Sequence, residues 1–122
     1  MAQVLVVDDD DQVRKLIRLL LQQEGHTVVE ASNGKKAIQH IQEAEIDLVI
    51  SDVVMPDMDG LELIREVRKA HPGIKILAIS GAGKEGPGLY LSIAERFGAD
   101  AILMKPFSPD QLIGKVDALL RT

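Results

Sequence analysis

Several polar residues able to do chemistry stand directly after short apolar runs. They are Asp8, Asp9, Asp52, Ser80 and Lys105. The runs that precede them are 4–7, 48–51, 76–79 and 101–104. Carboxylates are ligands for hard divalent cations, and an ammonium or a hydroxyl group can hold the oxygens of a phosphoryl group. If folding brings them together, these residue types predict a site for a divalent metal and a phosphoryl group.

The apolar runs are short, rich in β-branched residues and bounded by turn residues, which is typical of buried parallel strands. We predict strands at 4–7, 27–31, 47–52, 74–80 and 101–104. Helical periodicity between and after them predicts five helices, the fourth at about 89–97. Five strand–helix pairs indicate an α/β fold, (βα)5, with a doubly wound five-stranded parallel sheet. In such sheets ligands bind outside the carboxyl ends of the strands, so the polar residues should meet at one edge.

Two helices carry clear patterns in the sequence. In the first, Val13, Leu16, Ile17, Leu20 and Leu21 form the predicted apolar face, and Arg14, Lys15, Arg18 and Gln22 occupy the other face. Asp11 is the predicted N-cap of this helix, and Gly25 ends it. At the fifth helix, Ser108, Pro109 and Gln111 match a capping box with proline at the first helical position.

Composition limits the classes of function. The 122 residues suit a single domain spanning 1–122, with 46% hydrophobic and 27% charged residues. A net charge of −5 argues against direct nucleic-acid binding, and the absence of cysteine excludes disulfides and thiolate metal sites. No apolar run is long enough to span a membrane and no signal peptide is recognisable, so we expect a cytoplasmic protein without membrane contact.

The acids favour Mg²⁺ as the metal. Mg²⁺ prefers carboxylate and water oxygens, whereas zinc is improbable without cysteine or paired histidines. Asp8, Asp9 and Asp52 would repel one another without a cation. The alternative is that acids at strand ends are helix caps or solvated loop residues, and we favour that interpretation for Asp10 and Asp11.

Two further residues also have ordinary alternatives. Lys105 could hold a phosphoryl oxygen or pair with a carboxylate, or it could be a surface lysine. Ser80 could donate to a phosphoryl oxygen, or it could be a turn serine that hydrogen bonds to its own backbone.

Four segments together resemble the receiver domain of two-component response regulators, over essentially the whole chain. They are Val-Leu-Val-Val-Asp-Asp at 4–9, Ser-Asp-Val-Val-Met-Pro-Asp-Met-Asp-Gly at 51–60, Ile-Ser-Gly at 79–81 and Lys-Pro-Phe at 105–107. The resemblance implies the flavodoxin-like strand order 2-1-3-4-5. It also implies a phosphorylation-dependent signalling switch, whose phosphoryl donor is a histidine kinase or a histidine phosphotransfer protein.

The resemblance assigns a role to each site residue. Asp52 would be the phosphoacceptor, and Ser80 and Lys105 would hold the phosphoryl group. Asp9, Asp52 and the backbone carbonyl of Val54 would bind Mg²⁺ directly, while Asp8 would hold a metal-bound water. The bond between Lys105 and Pro106 would be cis.

The resemblance also bears on the output surface. Family members often carry an aromatic residue three positions before the lysine, but this chain has Ile102 there. An aromatic rotamer switch is therefore not expected. The face formed by helix 4, strand 5 and helix 5 would carry the output, and we expect a monomer or a weak dimer through that face. The downstream effector is left open, and the chain could be a stand-alone regulator or a receiver from a larger protein.

Two other classes of function stay open. One is a magnesium phosphatase with an aspartyl nucleophile, like the haloacid dehalogenase group. Such enzymes usually need an acid two residues beyond the nucleophile, where this chain has Val54, so we expect no separate substrate turnover. The other is a receiver-like interaction module that takes no phosphate; such modules usually lose an acid or the lysine, and this chain keeps them.

Overall fold

A computed structural model of the chain describes residues 2–53, 60–81 and 87–121. Five strands and five helices alternate within these ranges. The strands are β1 Gln3–Val7, β2 Thr27–Ala31, β3 Leu48–Asp52, β4 Lys75–Ser80 and β5 Ala101–Met104. The helices are α1 Asp11–Gln23, α2 Gly34–Glu43, α3 Gly60–Ala70, α4 Pro87–Phe97 and α5 Pro109–Leu120. Every predicted strand is present, with ends that differ by at most one residue from the prediction, and α4 begins two residues earlier than predicted.

The strands form one parallel sheet in the order β2-β1-β3-β4-β5, which confirms the predicted fold and the implied topology. The register places the strand ends side by side. Val7 pairs with Ser51 across β1 and β3, Asp52 pairs with Ile79 across β3 and β4, and Ser80 pairs with Met104. The residues that follow these pairs therefore leave the sheet at nearly the same level.

Two apolar cores cover the two faces of the sheet, because successive side chains of a strand point to opposite faces. Leu5 and Val7 of β1 belong to the core that α2, α3 and α4 cover. Val4 and Val6 belong to the core that α1 and α5 cover. The three central strands, β1, β3 and β4, are buried on both faces. This burial explains why their sequences are nearly continuously apolar.

The helix ends for which the sequence carries a pattern agree with it, except at the N-terminus of α1. The capping box of Ser108 and Gln111 is present at α5, and Gly25 follows α1 with a φ of 91°. The N-cap of α1 is Asp10 and not Asp11: the Asp10 carboxylate accepts hydrogen bonds from the backbone N–H groups of Gln12 and Val13. Asp10 has the extended backbone that a cap requires, whereas Asp11 is already helical.

The two faces of α1 also differ from the predicted ones. Ile17 and Leu21 are buried as expected, but Leu16 is 51% exposed. The face of α1 that contacts the core passes through residues 17 and 21, and Leu16 lies at the side of that face. On the polar face, Arg14 is only 14% exposed. The predicted polar face of α1 is therefore partly buried against the rest of the protein at Arg14.

Gly60, the first residue of α3, lies against the backbone at the end of β3. A Cβ atom at this position would be 1.9 Å from the backbone oxygen of Asp52 and 2.5 Å from the Cα of Val53. Both atoms belong to the main chain and cannot move aside by a rotamer change. Glycine is therefore required here by close approach, and its size determines where Asp52 sits relative to α3.

Within the described residues, no helix has the length and apolar character needed to cross a membrane.

We predict that Gly60→Ala destabilises the protein by about 1–3 kcal/mol, because the added methyl group forces the α3 terminus and the Asp52 backbone apart. Gly114→Ala is the matched control: a Cβ there meets no atom within 4 Å, and alanine in the middle of α5 should add about 0.5–1 kcal/mol of stability. Urea unfolding followed by circular dichroism measures both changes. A Gly60→Ala variant as stable as the wild type would contradict the close approach.

Candidate functional site

Three carboxylates meet at the carboxyl edge of the sheet, as the sequence predicts. One carboxylate oxygen from each of Asp8, Asp9 and Asp52 lies within 4.8 Å of the others. Asp8 is 1% exposed and Asp52 is 9% exposed, whereas Asp9 is open to solvent. The cluster therefore has a buried floor of two acids and one accessible acid at its rim.

Lys105 joins this cluster from the end of β5. Its Nζ lies 3.1 Å from Asp8 Oδ2 and 3.2 Å from Asp52 Oδ2. Its backbone N–H donates to the carbonyl of Ser80 at 2.8 Å, and the Lys105–Pro106 bond is cis, as the resemblance implies. Lys105 is thus a partner of buried carboxylates, and the alternative of a free surface lysine does not describe it.

Asp8 has partners for both of its carboxylate oxygens. Oδ1 accepts the backbone N–H of Asp10 at 2.9 Å, and Oδ2 accepts from Lys105. Burial raises the pKa of Asp8 above its ordinary value of 3.8; the Asp10 hydrogen bond and the charge of Lys105 oppose that shift without cancelling it. Ionised Asp8 is therefore less favourable in the folded protein than in water.

The same environment acts in the other direction on the lysine. Burial alone would lower the pKa of Lys105, but the charges of Asp52 and Asp8 outweigh burial and raise it above 10.5. The ammonium is therefore fully charged at neutral pH. It supplies one positive charge against three carboxylates, which leaves an excess of negative charge in the cluster.

Ser80 is placed at this edge, and its hydroxyl makes a hydrogen bond to the backbone. It is 1% exposed, and its Oγ donates to the backbone carbonyl of Gly81 at 3.2 Å. The alternative given by the sequence, a serine that hydrogen bonds to its own backbone turn, thus describes Ser80 in this structure. A contact with a phosphoryl group stays a prediction.

The donor set fits Mg²⁺. It consists of carboxylate oxygens, its net charge is negative, and Asp9 opens it to solvent. The fourth predicted ligand, the carbonyl of Val54, lies outside the described residues. Residues 82–86, in the glycine-rich stretch that follows β4 in the sequence, also lie outside them.

Sequence reasoning missed two residues that shape the site. Gly60 was part of the 51–60 motif, but its contact with the Asp52 backbone depends on the distance between α3 and β3. Arg14 was placed on the polar face of α1, yet its Nη1 donates to the backbone carbonyl of Asp8 at 2.7 Å. The acidic Glu30 in β2 was a partial signal: its side chain is only 25% exposed, and a partly buried carboxylate favours a cationic partner, although this says nothing of the Asp8 carbonyl.

Comparison with known proteins agrees with this geometry. The sensor kinase CckA of Brucella abortus is 44% identical over 121 residues, which are 98% of this chain and 12% of that protein. The transcriptional regulatory protein ResD of Bacillus subtilis is 39% identical over 120 residues, or 97% of this chain and 48% of that protein. The chain thus spans about half the length of ResD and a smaller part of CckA.

One solved structure is similar to this chain over nearly the full length of both proteins. The response regulator protein TrrA from Thermotoga maritima, in complex with Mg²⁺ and BeF, has a TM-score of 0.86 and 35% identity, over 98% of this chain and 100% of that chain. The family model for the response regulator receiver domain matches residues 4–117. Together with the five-stranded parallel sheet and the acid–lysine cluster, this match shows that the chain belongs to the response regulator receiver domain family.

Proposed function

We propose that this chain is a phosphorylation-dependent switch of a two-component phosphorelay, in which Asp52 accepts a phosphoryl group with the help of Mg²⁺. The observation that carries the proposal is the ammonium of Lys105 held within 3.2 Å of both Asp8 and Asp52, next to a third acid that solvent can reach. Receiver domains are in general signalling domains, which favours a switch over an enzyme with a separate substrate.

The chemistry assigned to Asp52 is nucleophilic. One carboxylate oxygen forms a bond to phosphorus, and the bond from phosphorus to the donor breaks, whether the donor is a phosphohistidine or a small acyl phosphate. Lys105 lies where its ammonium can pair with a phosphoryl oxygen on Asp52, and the Ser80 hydroxyl, at the end of the neighbouring strand, is the proposed donor to another. The aspartyl phosphate is then the signal.

The residues proposed to bind Mg²⁺ differ in their accessibility to solvent. Asp9 and Asp52, with the carbonyl of Val54, are the proposed direct ligands, and Asp8 is the proposed holder of a metal-bound water. The hydrogen bonds to both Asp8 oxygens support this division, because they leave Asp8 less able to bind an ion directly. When bound, Mg²⁺ neutralises negative charge on the phosphoryl oxygens.

The proposed phosphoryl donor is a histidine kinase or a histidine phosphotransfer protein, and the proposed location is cytoplasmic. For the output surface we propose the face of α4, β5 and α5, which also suits a weak dimer. It carries a groove of about 410 Å³ whose lining includes Ile102, Met104 and Gln111, and Met104 is 53% exposed. Ile102 itself packs against the core beneath α4, where a family member would often have an aromatic ring.

We predict that acetyl phosphate with Mg²⁺ adds one phosphoryl group to the protein and that Asp52→Asn abolishes the addition, because an amide is not a nucleophile for this reaction. Asp47→Asn, at the opposite end of β3, is the control and should be labelled like the wild type. Intact-mass analysis reads the result.

Three outcomes separate the classes of function. A stable single label supports a switch, rapid repeated turnover of acetyl phosphate identifies a phosphatase, and the absence of any label identifies an interaction module. Full labelling of Asp52→Asn would show that the phosphoacceptor is another residue.

We predict that the phosphate-free protein binds Mg²⁺ and that Asp9→Ala weakens binding more than Asp8→Ala does. Asp9 is accessible, whereas both oxygens of Asp8 already accept hydrogen bonds. We expect Asp9→Ala to lose about tenfold in affinity, or about 1.4 kcal/mol, in isothermal titration calorimetry. Equal affinities for Asp9→Ala and the wild type would rule out Asp9 as a direct ligand.

We predict that Asp8→Asn is more stable than the wild type at neutral pH in the presence of a chelator. The folded protein raises the pKa of Asp8, so it holds that proton more tightly than the unfolded chain does, and ionised Asp8 costs stability above both pKa values. This cost disappears as the pH falls toward 3.8, so the advantage of the amide should shrink there. Urea unfolding at several pH values provides the measurement.

The control is Asp110→Asn, which removes the same charge at an exposed position in the first turn of α5. It should give no gain, since an acid favours a helix N-terminus. An Asp8→Asn variant that gains no more than Asp110→Asn would show that burial of Asp8 carries no cost.

A further inference from the structure

The guanidinium group of Arg14 binds three oxygens from three parts of the chain. Nη1 donates to the backbone carbonyl of Asp8 at 2.7 Å, Nη2 to Asp11 Oδ1 at 2.5 Å, and Nε to Glu30 Oε1 at 3.0 Å. The side chain is 14% exposed. Because the guanidinium is planar and its donors have fixed directions, these three bonds hold it in one orientation.

The bond to the Asp8 carbonyl acts on the peptide that joins Asp8 to Asp9. Since a peptide unit is planar, the direction of the Asp8 carbonyl determines where the Cα of Asp9 lies. The other side of Asp8 is held separately, by its N–H, which donates to the carbonyl of Ala31 at 3.2 Å. Asp9 is exposed, so burial does little to orient it, and the peptide that precedes it has to do so.

The positive charge of Arg14 is compensated where it stands. Burial alone would lower the pKa of Arg14, but its hydrogen bonds to Asp11 and Glu30 outweigh burial and raise it. Arg18 donates to the second oxygen of Glu30 at 2.6 Å, so two arginines face two acids and their charges cancel. Arg14 therefore acts on the site mainly through its hydrogen bond to the Asp8 carbonyl, and it adds little net electrostatic field there.

We propose that Arg14 is a positioning residue for cation binding: it fixes the Asp8–Asp9 peptide so that the Asp9 carboxylate is in place before the ion arrives. Glu30 supports this role from β2 by holding Nε of Arg14. The inference rests on the proposed function, because it requires that Asp9 bind Mg²⁺. Groups that orient metal ligands typically change metal affinity by about tenfold or more.

The test compares Arg14→Lys with Arg18→Lys in the full chain. Lysine keeps the charge but cannot donate in three fixed directions, so Arg14→Lys should lower Mg²⁺ affinity about tenfold in isothermal titration calorimetry. Arg18 donates to Glu30 from one turn further along α1, and its Nε is buried without a hydrogen-bond partner among the described residues. Arg18→Lys makes the same chemical change and should leave the affinity unchanged.

Two further measurements separate positioning from a purely structural role. Amide hydrogen exchange at Asp9 and Asp10 in chelator should be faster in Arg14→Lys than in Arg18→Lys. In an Asp9→Ala background, Arg14→Lys should have little further effect on Mg²⁺ affinity, because the carboxylate it positions is gone. If Arg14→Lys does not fold, Glu30→Gln, which weakens the hold on Nε, replaces it and should lower Mg²⁺ affinity in the same direction.

The outcomes divide cleanly. A wild type that binds no Mg²⁺ overturns the proposed function and this inference with it. A wild type that binds Mg²⁺ together with an Arg14→Lys variant of equal affinity overturns the inference alone, even if urea unfolding shows that the variant is less stable. An equal loss in the Asp9→Ala background shows that Arg14 acts through some other group.

Discussion

The ammonium group of Lys105 is shared between two buried carboxylates, and the arrangement of the strand ends depends on that contact. Asp8 follows β1 and Asp52 ends the neighbouring strand β3, so the two carboxylates would repel one another at the edge of the sheet. One lysine from the far side of the sheet offsets the repulsion without removing it, because three acids face a single ammonium. The ammonium thus reduces the repulsion between the acids in the folded protein, and the remaining negative charge favours a cation.

The β1–α1–β2 unit supports the cluster through its backbone. Its arginines and acids compensate one another, so the unit adds rigidity beside the carboxylates without adding charge. Gly60 has a comparable role on the other side, where α3 comes within contact distance of the Asp52 backbone. The acids are therefore held through their main chain from both sides, while the field inside the cluster comes from the acids and Lys105.

The sequence predicts the fold well because the strands are buried on both faces and stand out as apolar runs between turn residues. It also predicts which polar residues meet, since parallel strands deliver their ends to one edge. It fails where the answer depends on local backbone geometry or on distances between elements. Adjacent acids made the N-cap of α1 ambiguous between Asp10 and Asp11, and no pattern indicates that Arg14 reaches the carbonyl of Asp8. The sequence offered two roles for Ser80 and could not choose between them; the hydrogen bond to Gly81 depends on the local backbone.

The contacts of Lys105 span long stretches of chain: 97 residues separate it from Asp8 and 53 separate it from Asp52. Both acids are synthesised well before their shared counter-ion, because β5, which delivers it, follows the other four described strands in the sequence. Until that strand pairs with β4, a growing chain has the carboxylates without the ammonium. A complete acid–lysine cluster therefore requires that β5 has joined the sheet, and a chain that has not yet reached β5 cannot form it.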